Sequence, residues 1–180
     1  DSWMRIQKNE DNFELWQLDE NEIFSTTLKK EAKKRNVNSE RIIFAKRLIL
    51  DEHLARHKVA NLFLDTFPYG AHTTCSDSLW AGLPVLTRIG QSFASRVSAS
   101  LLNTIDLAEL ITNTEKEYEN LAIELAINPN KLKKIKDKLK KNRLTKPLFD
   151  VKLFTKNIET AYKIMHDNHF SSLPSENIEI

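Results

Sequence analysis

The chain has 180 residues, 41% of them hydrophobic and 29% charged, as expected for one soluble domain or two small lobes. The net charge of +2 does not favour nucleic acid or an anionic membrane as the partner, and no apolar run approaches the roughly 20 residues that span a bilayer. The single cysteine, Cys75, excludes an internal disulfide and suits a reducing compartment, so we expect a cytoplasmic protein.

Up to residue 111 the hydrophobic pattern predicts strands that alternate with helices. The predicted helices cover residues 2–9, 24–36, 50–60, 92–102 and a segment from Thr73. The predicted strands lie near 13–16, 41–45, 62–64 and 84–87, and residues 108–111 are a short strand or the approach to one. Beyond that point only helices are predicted, around residues 118–126, 132–139 and 154–165. This order predicts an α/β fold in one domain, residues 1–166, with a helical C-terminal cap, followed by a polar tail over residues 167–180.

Residues 61–88 combine a strand, a loop, a short helix and a second strand, which is a βαβ arrangement. In open parallel sheets, ligands bind at the carboxyl ends of strands, where this loop lies. The three glycines, Gly70, Gly82 and Gly90, all lie in or just after this stretch. Two tight turns would account for them, and so would a close approach of the backbone to a ligand between Gly70 and Thr74.

The predicted helix in this stretch opens on Thr73 and Thr74, with Asp77 one turn further on. Free N–H groups and hydroxyls at a helix start can hold a phosphate. A carboxylate one turn away can accept hydrogen bonds from ribose hydroxyls, as acidic residues do in dinucleotide sites. A capped helix with a solvent-facing aspartate is the simpler alternative, and the spacing alone favours that alternative slightly.

A second group, His53, Arg56 and His57, has the i, i+3, i+4 spacing of one helix face. Arg56 can bond to or stack on a planar base, and His53 can do either. An ordinary surface face is the alternative, and no carboxylate or cysteine set at ligand spacing suggests a metal site. Cys75 is interpreted as a small buried residue, because no base partner is apparent.

The segment 131–143 carries eight lysines and arginines around an apolar stripe. Nucleic acid or lipid could bind such a run. A solvated helix face is the favoured interpretation, because no aromatic residues interleave the charges and the chain is nearly neutral.

Taken together, these residues resemble the C-terminal catalytic lobe of protein O-GlcNAc transferases, in particular bacterial members that follow tetratricopeptide repeats. The most specific motif is His-Thr-Thr-x-x-Asp-x-Leu-Trp-Ala-Gly at residues 72–82. The resemblance covers about residues 3–166 and is carried by segments 41–44, 52–57, 64–69, 71–74, 77–87 and 94–102, with 147–150 in order and spacing.

The resemblance implies a two-lobe GT-B glycosyltransferase in which this chain is the C-terminal, Rossmann-like lobe. Such enzymes transfer GlcNAc from UDP-GlcNAc to Ser or Thr hydroxyls of a protein, and we expect no metal or other cofactor. Position by position, Thr73 and Thr74 would hold the diphosphate and Asp77 the ribose. His53 and Arg56 would lie at the uridine end, and His72 near the phosphate–sugar side.

The resemblance also implies parts that this sequence does not include. The chain begins without a methionine inside a predicted helix, so we expect a fragment whose first strand lies upstream of Asp1. The N-terminal lobe and the repeats that dock protein acceptors would lie there too, so no catalytic residue is assigned here and the fragment alone should be inactive. Leu50 also replaces a lysine that often contacts the nucleotide in this family.

Three other interpretations remain open. A SPINDLY-like O-fucosyltransferase would use GDP-fucose and has a similar loop at residues 64–69, but that branch tends to have Thr and Glu where this chain has His72 and Asp77. A Rossmann-like module that only binds a protein partner is the other class. Nucleic-acid binding through the basic segment is a distant third.

Overall fold

The computed structural model describes residues 1–9 and 13–180. Its helices and strands alternate up to residue 112 and are followed by helices alone, as predicted. The elements are α1 (Ser2–Lys8), β1 (Leu15–Leu18), α2 (Glu22–Lys34), β2 (Ile42–Ala45), α3 (Leu50–Arg56), β3 (Phe63–Leu64), α4 (Thr73–Ala81), β4 (Val85–Arg88), α5 (Val97–Thr104), β5 (Ile111–Thr112), α6 (Glu115–Ile127), α7 (Pro129–Asn142) and α8 (Val151–Phe170). The predicted α/β class is confirmed.

The strands pair in parallel and form two ladders. In the first, β1 pairs with β2 so that Leu15 lies opposite Ile42. In the second, β4 lies between β3 and β5, with Leu64 opposite Leu86 and Arg88 opposite Thr112. All three strands of the second ladder therefore end at one edge, where the loops that follow them meet.

The core lies between the second ladder and the helices around it. Val85 and Leu86 of β4 are fully buried, as are Leu79 of α4 and Leu102 of α5. Helices α6 and α7 cover the same core through buried apolar residues at helical spacing, which include Tyr118, Ala122, Leu125, Leu132, Ile135 and Leu139. The periodic stripes read from the sequence are thus the packed faces of these helices.

Element boundaries differ from the predictions at several places. The strand expected near residues 13–16 is Leu15–Leu18, and most of the segment 108–111 is a 3₁₀ turn, Ala108–Leu110, before β5. The single helix expected over residues 92–102 is a 3₁₀ turn, Phe93–Ser95, followed by α5 from Val97. The helix expected over residues 50–60 ends at Arg56 and continues as a 3₁₀ turn, His57–Val59.

Asp150 caps the start of helix α8, which runs from Val151 to Phe170, because its side chain accepts the Leu153 N–H. Its residues are half-buried or exposed over its whole length. Among residues 1–9 and 13–180, no helix combines the length and apolar character needed to cross a membrane.

Candidate functional site

The candidate site lies where two strands end. Helix α3, which carries His53 and Arg56, follows β2, and helix α4, which carries Thr73, Thr74 and Asp77, follows β3. Helices α3 and α4 contact each other. Residues more than 15 positions apart in sequence are therefore brought to one place at the carboxyl ends of parallel strands, as ligand sites in such sheets require.

The start of α4 offers hydrogen-bond donors. Its N-cap residue, His72, makes no side-chain cap, and both Thr73 and Thr74 are exposed. Within the described part of the chain, their hydroxyls bond to no other residue. First-turn N–H groups and two hydroxyls can therefore face an anion there, and the helix dipole favours negative charge at this end.

Asp77 lies one turn into α4 and is half-buried. Its carboxylate makes no hydrogen bond or ion pair with any residue that the structure describes. The neighbouring Ser78 hydroxyl instead donates to the Thr74 carbonyl, 2.8 Å away. Asp77 therefore keeps its acceptor oxygens available for a ligand that carries hydroxyl groups.

His53 and Arg56 form a hydrogen-bonded pair on α3. Arg56 Nη2 lies 3.0 Å from His53 Nδ1, and Arg56 Nη1 donates to the Lys46 carbonyl at 2.7 Å. A guanidinium can only donate, so Nδ1 is the acceptor and the proton of the neutral ring is on Nε2. Partial burial lowers the pKa of His53, helped by the charges of His57 and Arg56.

An electrostatic link joins the two helices. The negative charge of Asp77 acts on His53 in the direction that raises its pKa, opposing the burial effect. His57, behind His53, places Nδ1 2.8 Å from the His53 carbonyl and its ring against the His53 ring at 4.6 Å between centroids. Contacts with His57 thus restrain both the ring and the backbone of His53.

His72 lies between two exposed aromatic rings. The Tyr69 ring stacks on it at 5.1 Å and the Phe93 ring meets it edge-on at 5.9 Å, while Nε2 lies 3.3 Å from the Ala94 carbonyl. Tyr69 and Phe93 are 66% and 81% exposed, so most of their surface is available to a ligand or to another part of the protein.

One polar residue with a central position was not assigned a role from the sequence. Asp65 follows β3 directly, is 1% exposed, and accepts hydrogen bonds from the N–H groups of Thr66 and Ala71 at 2.8 and 2.7 Å. The only sequence signal was an acidic residue at the end of a buried strand, before a loop with proline and glycine.

The structure also explains the glycine at position 70 without a ligand. A side-chain carbon there would lie 3.2 Å from both an Asp65 carboxylate oxygen and the Ala94 carbonyl. Gly82 ends α4 with φ +90°, in the left-handed region that favours glycine. Protein packing and a helix end therefore account for these two positions.

Two other sequence features lie outside the candidate site. Cys75 is fully buried, as predicted, and burial raises the pKa of its thiol to about 12. Several lysines of the basic segment make ion pairs, for example Lys131 with Glu124 at 2.6 Å and Lys138 with Glu109 at 3.0 Å. Among the described residues, no cluster of three or more His, Cys, Asp or Glu side chains could hold a metal ion.

Comparison with known proteins connects this geometry to one family. The profile of glycosyl transferase family 41 matches residues 1–158. The chain is 34% identical over 180 residues to the probable UDP-N-acetylglucosamine–peptide N-acetylglucosaminyltransferase SEC of Arabidopsis thaliana, with 99% of this chain and 18% of that protein covered. It is 35% identical over 114 residues to the probable enzyme of the same activity named SPINDLY in Hordeum vulgare, covering 63% of this chain and 12% of that protein.

A solved structure has the same fold. A mutant of the O-GlcNAc transferase of Thermobaculum terrenum superposes with a TM-score of 0.86 at 28% sequence identity, over 91% of this chain and 32% of that one. The α/β lobe described above is therefore the GT-B type that the motifs predicted. The chain spans less than a third of that protein and less than a fifth of the plant relatives.

Proposed function

We propose that this chain, which belongs to glycosyl transferase family 41, forms the donor-nucleotide site of an enzyme that transfers GlcNAc from UDP-GlcNAc to Ser or Thr hydroxyls of proteins. The observation that carries the proposal is the contact between α3 and α4. It sets His53, Arg56 and Asp77 beside a helix start that carries two unbonded threonine hydroxyls.

In this proposal the diphosphate of the donor binds at the start of α4. Thr73 and Thr74 donate hydroxyl and backbone N–H hydrogen bonds to its oxygens, and the helix dipole adds favourable charge. As the bond between sugar and phosphate breaks, negative charge grows on the UDP leaving group. Donors that are already oriented stabilise that charge without reorganising, which lowers the barrier. His72 lies next to this helix start, on the phosphate–sugar side.

The nucleoside occupies the surface between the two helices. Asp77 accepts hydrogen bonds from the ribose hydroxyls, in the way acidic residues hold ribose in other nucleotide sites. Neutral His53 presents its Nε2–H and ring face to the uracil, and Arg56 retains donors beyond those it uses on His53 and Lys46. The lowered pKa of His53 keeps the ring neutral at pH 7, so the site binds the base without adding a positive charge.

The remaining functions belong to other parts of the full-length protein. We propose that the catalytic groups and the surface that binds the protein acceptor lie in the second lobe and in tetratricopeptide repeats, so that these 180 residues alone transfer no sugar. This chain covers only 18% and 16% of the two transferases that it matches over 99% of its own length, which supports this division of roles. The single cysteine, buried and inert, is consistent with a cytoplasmic location, which cell fractionation would test.

A GDP-fucose enzyme of the SPINDLY type is the alternative within the family. The relatives named SPINDLY match 63–66% of this chain, whereas the Arabidopsis SEC and Caenorhabditis elegans transferases match 99% of it. The names of the SPINDLY relatives also specify a UDP-N-acetylglucosamine donor, and together with His72 and Asp77 this supports UDP-GlcNAc.

Titration calorimetry on the full-length natural protein tests the proposal. UDP should bind and GDP should bind much more weakly. Tight binding of GDP alone would favour the fucose enzyme. Absence of binding by both nucleotides would overturn the glycosyltransferase assignment and favour a module that binds only proteins.

A further inference from the structure

Asp65 is the most deeply buried acidic side chain among the described residues, and Thr73, where the donor diphosphate is proposed to bind, follows it by eight residues. One carboxylate oxygen, Oδ1, accepts the N–H groups of Thr66 and Ala71, at the two ends of the loop 66–72. The other, Oδ2, accepts the Thr87 hydroxyl at 2.7 Å. A buried carboxylate with three donors is satisfied, and it links this loop to the middle strand β4.

Other buried groups hold the same loop from the far side. Gly70 N–H donates to the Ala94 carbonyl at 2.9 Å, and the Ser98 hydroxyl donates to the Ala71 carbonyl at 2.7 Å. The Tyr118 hydroxyl donates to the carbonyl of Asp65 itself at 2.9 Å. The loop is therefore fixed to a strand and to two helices immediately before α4 begins.

We propose that Asp65 is a positioning residue, whose carboxylate fixes the loop 66–72 and thereby sets where Thr73 and Thr74 meet the donor diphosphate. The inference rests on the proposed function for the identity of the ligand. Asp65 itself does not touch the donor. It acts through its hydrogen bond with the Ala71 N–H, two residues before Thr73. Loss of this bond would free the start of α4 to move, and only the correctly placed fraction would bind donor well.

Neighbouring strands provide a matched pair of variants. Thr87 and Thr112 are both almost fully buried, and each hydroxyl makes one hydrogen bond: Thr87 to Asp65 Oδ2, and Thr112 to the Thr87 carbonyl at 2.9 Å. Thr87→Val and Thr112→Val each remove one buried hydroxyl with little change of shape. Only Thr87→Val leaves the Asp65 carboxylate short of a donor.

The experiment measures KM for UDP-GlcNAc, kcat and thermal midpoint on both variants in the full-length natural protein. We expect Thr87→Val to raise KM about fivefold or more because fewer molecules hold the loop in place, and Thr112→Val to leave KM near the wild-type value. Both variants should lower the thermal midpoint. Equal KM changes in the two variants, or no change in either, would show that Asp65 acts on stability alone and would overturn the proposal.

Substitution of Asp65 itself provides a rescue test. In Asp65→Asn the remaining oxygen can still accept both N–H groups, and the Thr87 hydroxyl can turn to accept from the new amide. Asp65→Ala removes all three bonds. Asp65→Asn should therefore keep KM close to wild type while Asp65→Ala raises it, and an Asn variant as impaired as the Ala variant would contradict the positioning role. If Asp65→Ala does not fold, the threonine pair decides.

Hydrogen exchange separates this proposal from the proposed function. Without any donor present, Thr87→Val should speed amide exchange in the segment 66–72, and Thr112→Val should not. A wild-type protein that fails to bind UDP would overturn the proposed function, while the exchange comparison would still report on Asp65. Unchanged exchange in Thr87→Val would overturn the positioning role even if UDP binds.

Discussion

Asp77→Ala is the most direct test of the donor site, because this carboxylate has no partner among the described residues and so should be available to the ligand. Hydrogen bonds to a charged group contribute about 1.5–3 kcal/mol. At 1.4 kcal/mol per tenfold change, their loss should weaken UDP binding by about 10- to 150-fold. Titration calorimetry on the full-length natural protein measures this directly.

The control for Asp77→Ala has to remove the same charge elsewhere. Asp137→Ala does so on the exposed surface of α7, where Asp137 pairs only with Lys133, 2.6 Å away. Its UDP affinity should equal that of the wild type. If Asp77→Ala also binds UDP within about twofold of the wild type, the carboxylate does not hold the nucleotide.

A double-mutant cycle identifies which part of UDP Asp77 contacts. Analogues that lack the 2′ or the 3′ ribose hydroxyl should bind the wild type more weakly than UDP does. One of the two analogues lacks the hydroxyl that donates a hydrogen bond to Asp77. For that analogue, Asp77→Ala should abolish the difference in affinity between UDP and the analogue, because the two changes delete the same hydrogen bond. Losses that simply add for both analogues would place Asp77 away from the ribose.

The same variant has a readout that needs no ligand. Asp77 raises the pKa of His53 against the lowering effect of burial. Its removal should therefore lower the pKa of His53 further, which NMR titration of the imidazole can follow. An unchanged His53 pKa would show that α3 and α4 do not hold these side chains close in solution.

Three further variants or conditions test the surrounding structure. Thr74→Val should weaken UDP binding but not uridine binding, because only the diphosphate uses this hydroxyl, while Thr155→Val on α8 is a control that should change neither affinity. Gly70→Ala should lower the free energy of unfolding, measured by urea denaturation, by about 1–3 kcal/mol. The added carbon would lie 3.2 Å from the Ala94 carbonyl oxygen and an Asp65 carboxylate oxygen, which are both held in place. A variant as stable as the wild type would contradict this tight packing. Acidification should protonate His53 and break its hydrogen bond with Arg56. Because the pKa of His53 is below 6.5 in the folded state, the unfolded chain takes up this proton at higher pH than the folded chain does. Both the free energy of unfolding and the affinity for UDP should therefore fall as the pH drops below 6.5. His53→Gln should flatten that part of the pH profile relative to the wild type, and an unaltered profile would refute the assignment.

Hydrophobic periodicity predicted most elements of this fold. In α7 the stripe of Leu132, Ile135 and Leu139 is buried, while Lys133 and Lys134 between them are exposed, so a single sequence period predicted the buried face. In β4 the apolar run Val85–Leu86 is fully buried, as expected for a parallel strand covered on both sides. Such patterns depend on neighbours in sequence and are visible without a structure.

The wrong helix boundary at residues 92–102 has a local chemical cause. The Ser95 hydroxyl donates to the Ser92 carbonyl at 2.9 Å, and the Ser92 hydroxyl donates to Ser95 Oγ at 3.0 Å. These side chains compete with helical hydrogen bonds and favour a 3₁₀ turn before α5. Apolar spacing carries no information on such competition, so the start of the helix was predicted five residues too early.

The parts of the candidate site differ in how far the sequence could predict them. An anion site at Thr73 and Thr74 follows from local rules, because both residues open a helix after a strand. The proximity of His53 to Asp77 does not, because α3 follows a strand of one ladder and α4 a strand of the other. Only tertiary packing brings these two helices together, and the nucleotide roles of the residues came from the family resemblance.

Asp65 shows why a supporting residue is harder to predict than a binding residue. Its partners lie one, six and 22 positions further along the chain, and no spacing rule connects them. Yet a helix start can hold a phosphate only if its donors stay unpaired and still keep their positions, so the restraint has to come from groups beneath the surface. A buried acid at the end of the strand meets that requirement, because it can bind the loop on both sides and leave the outward-facing threonines free for the donor.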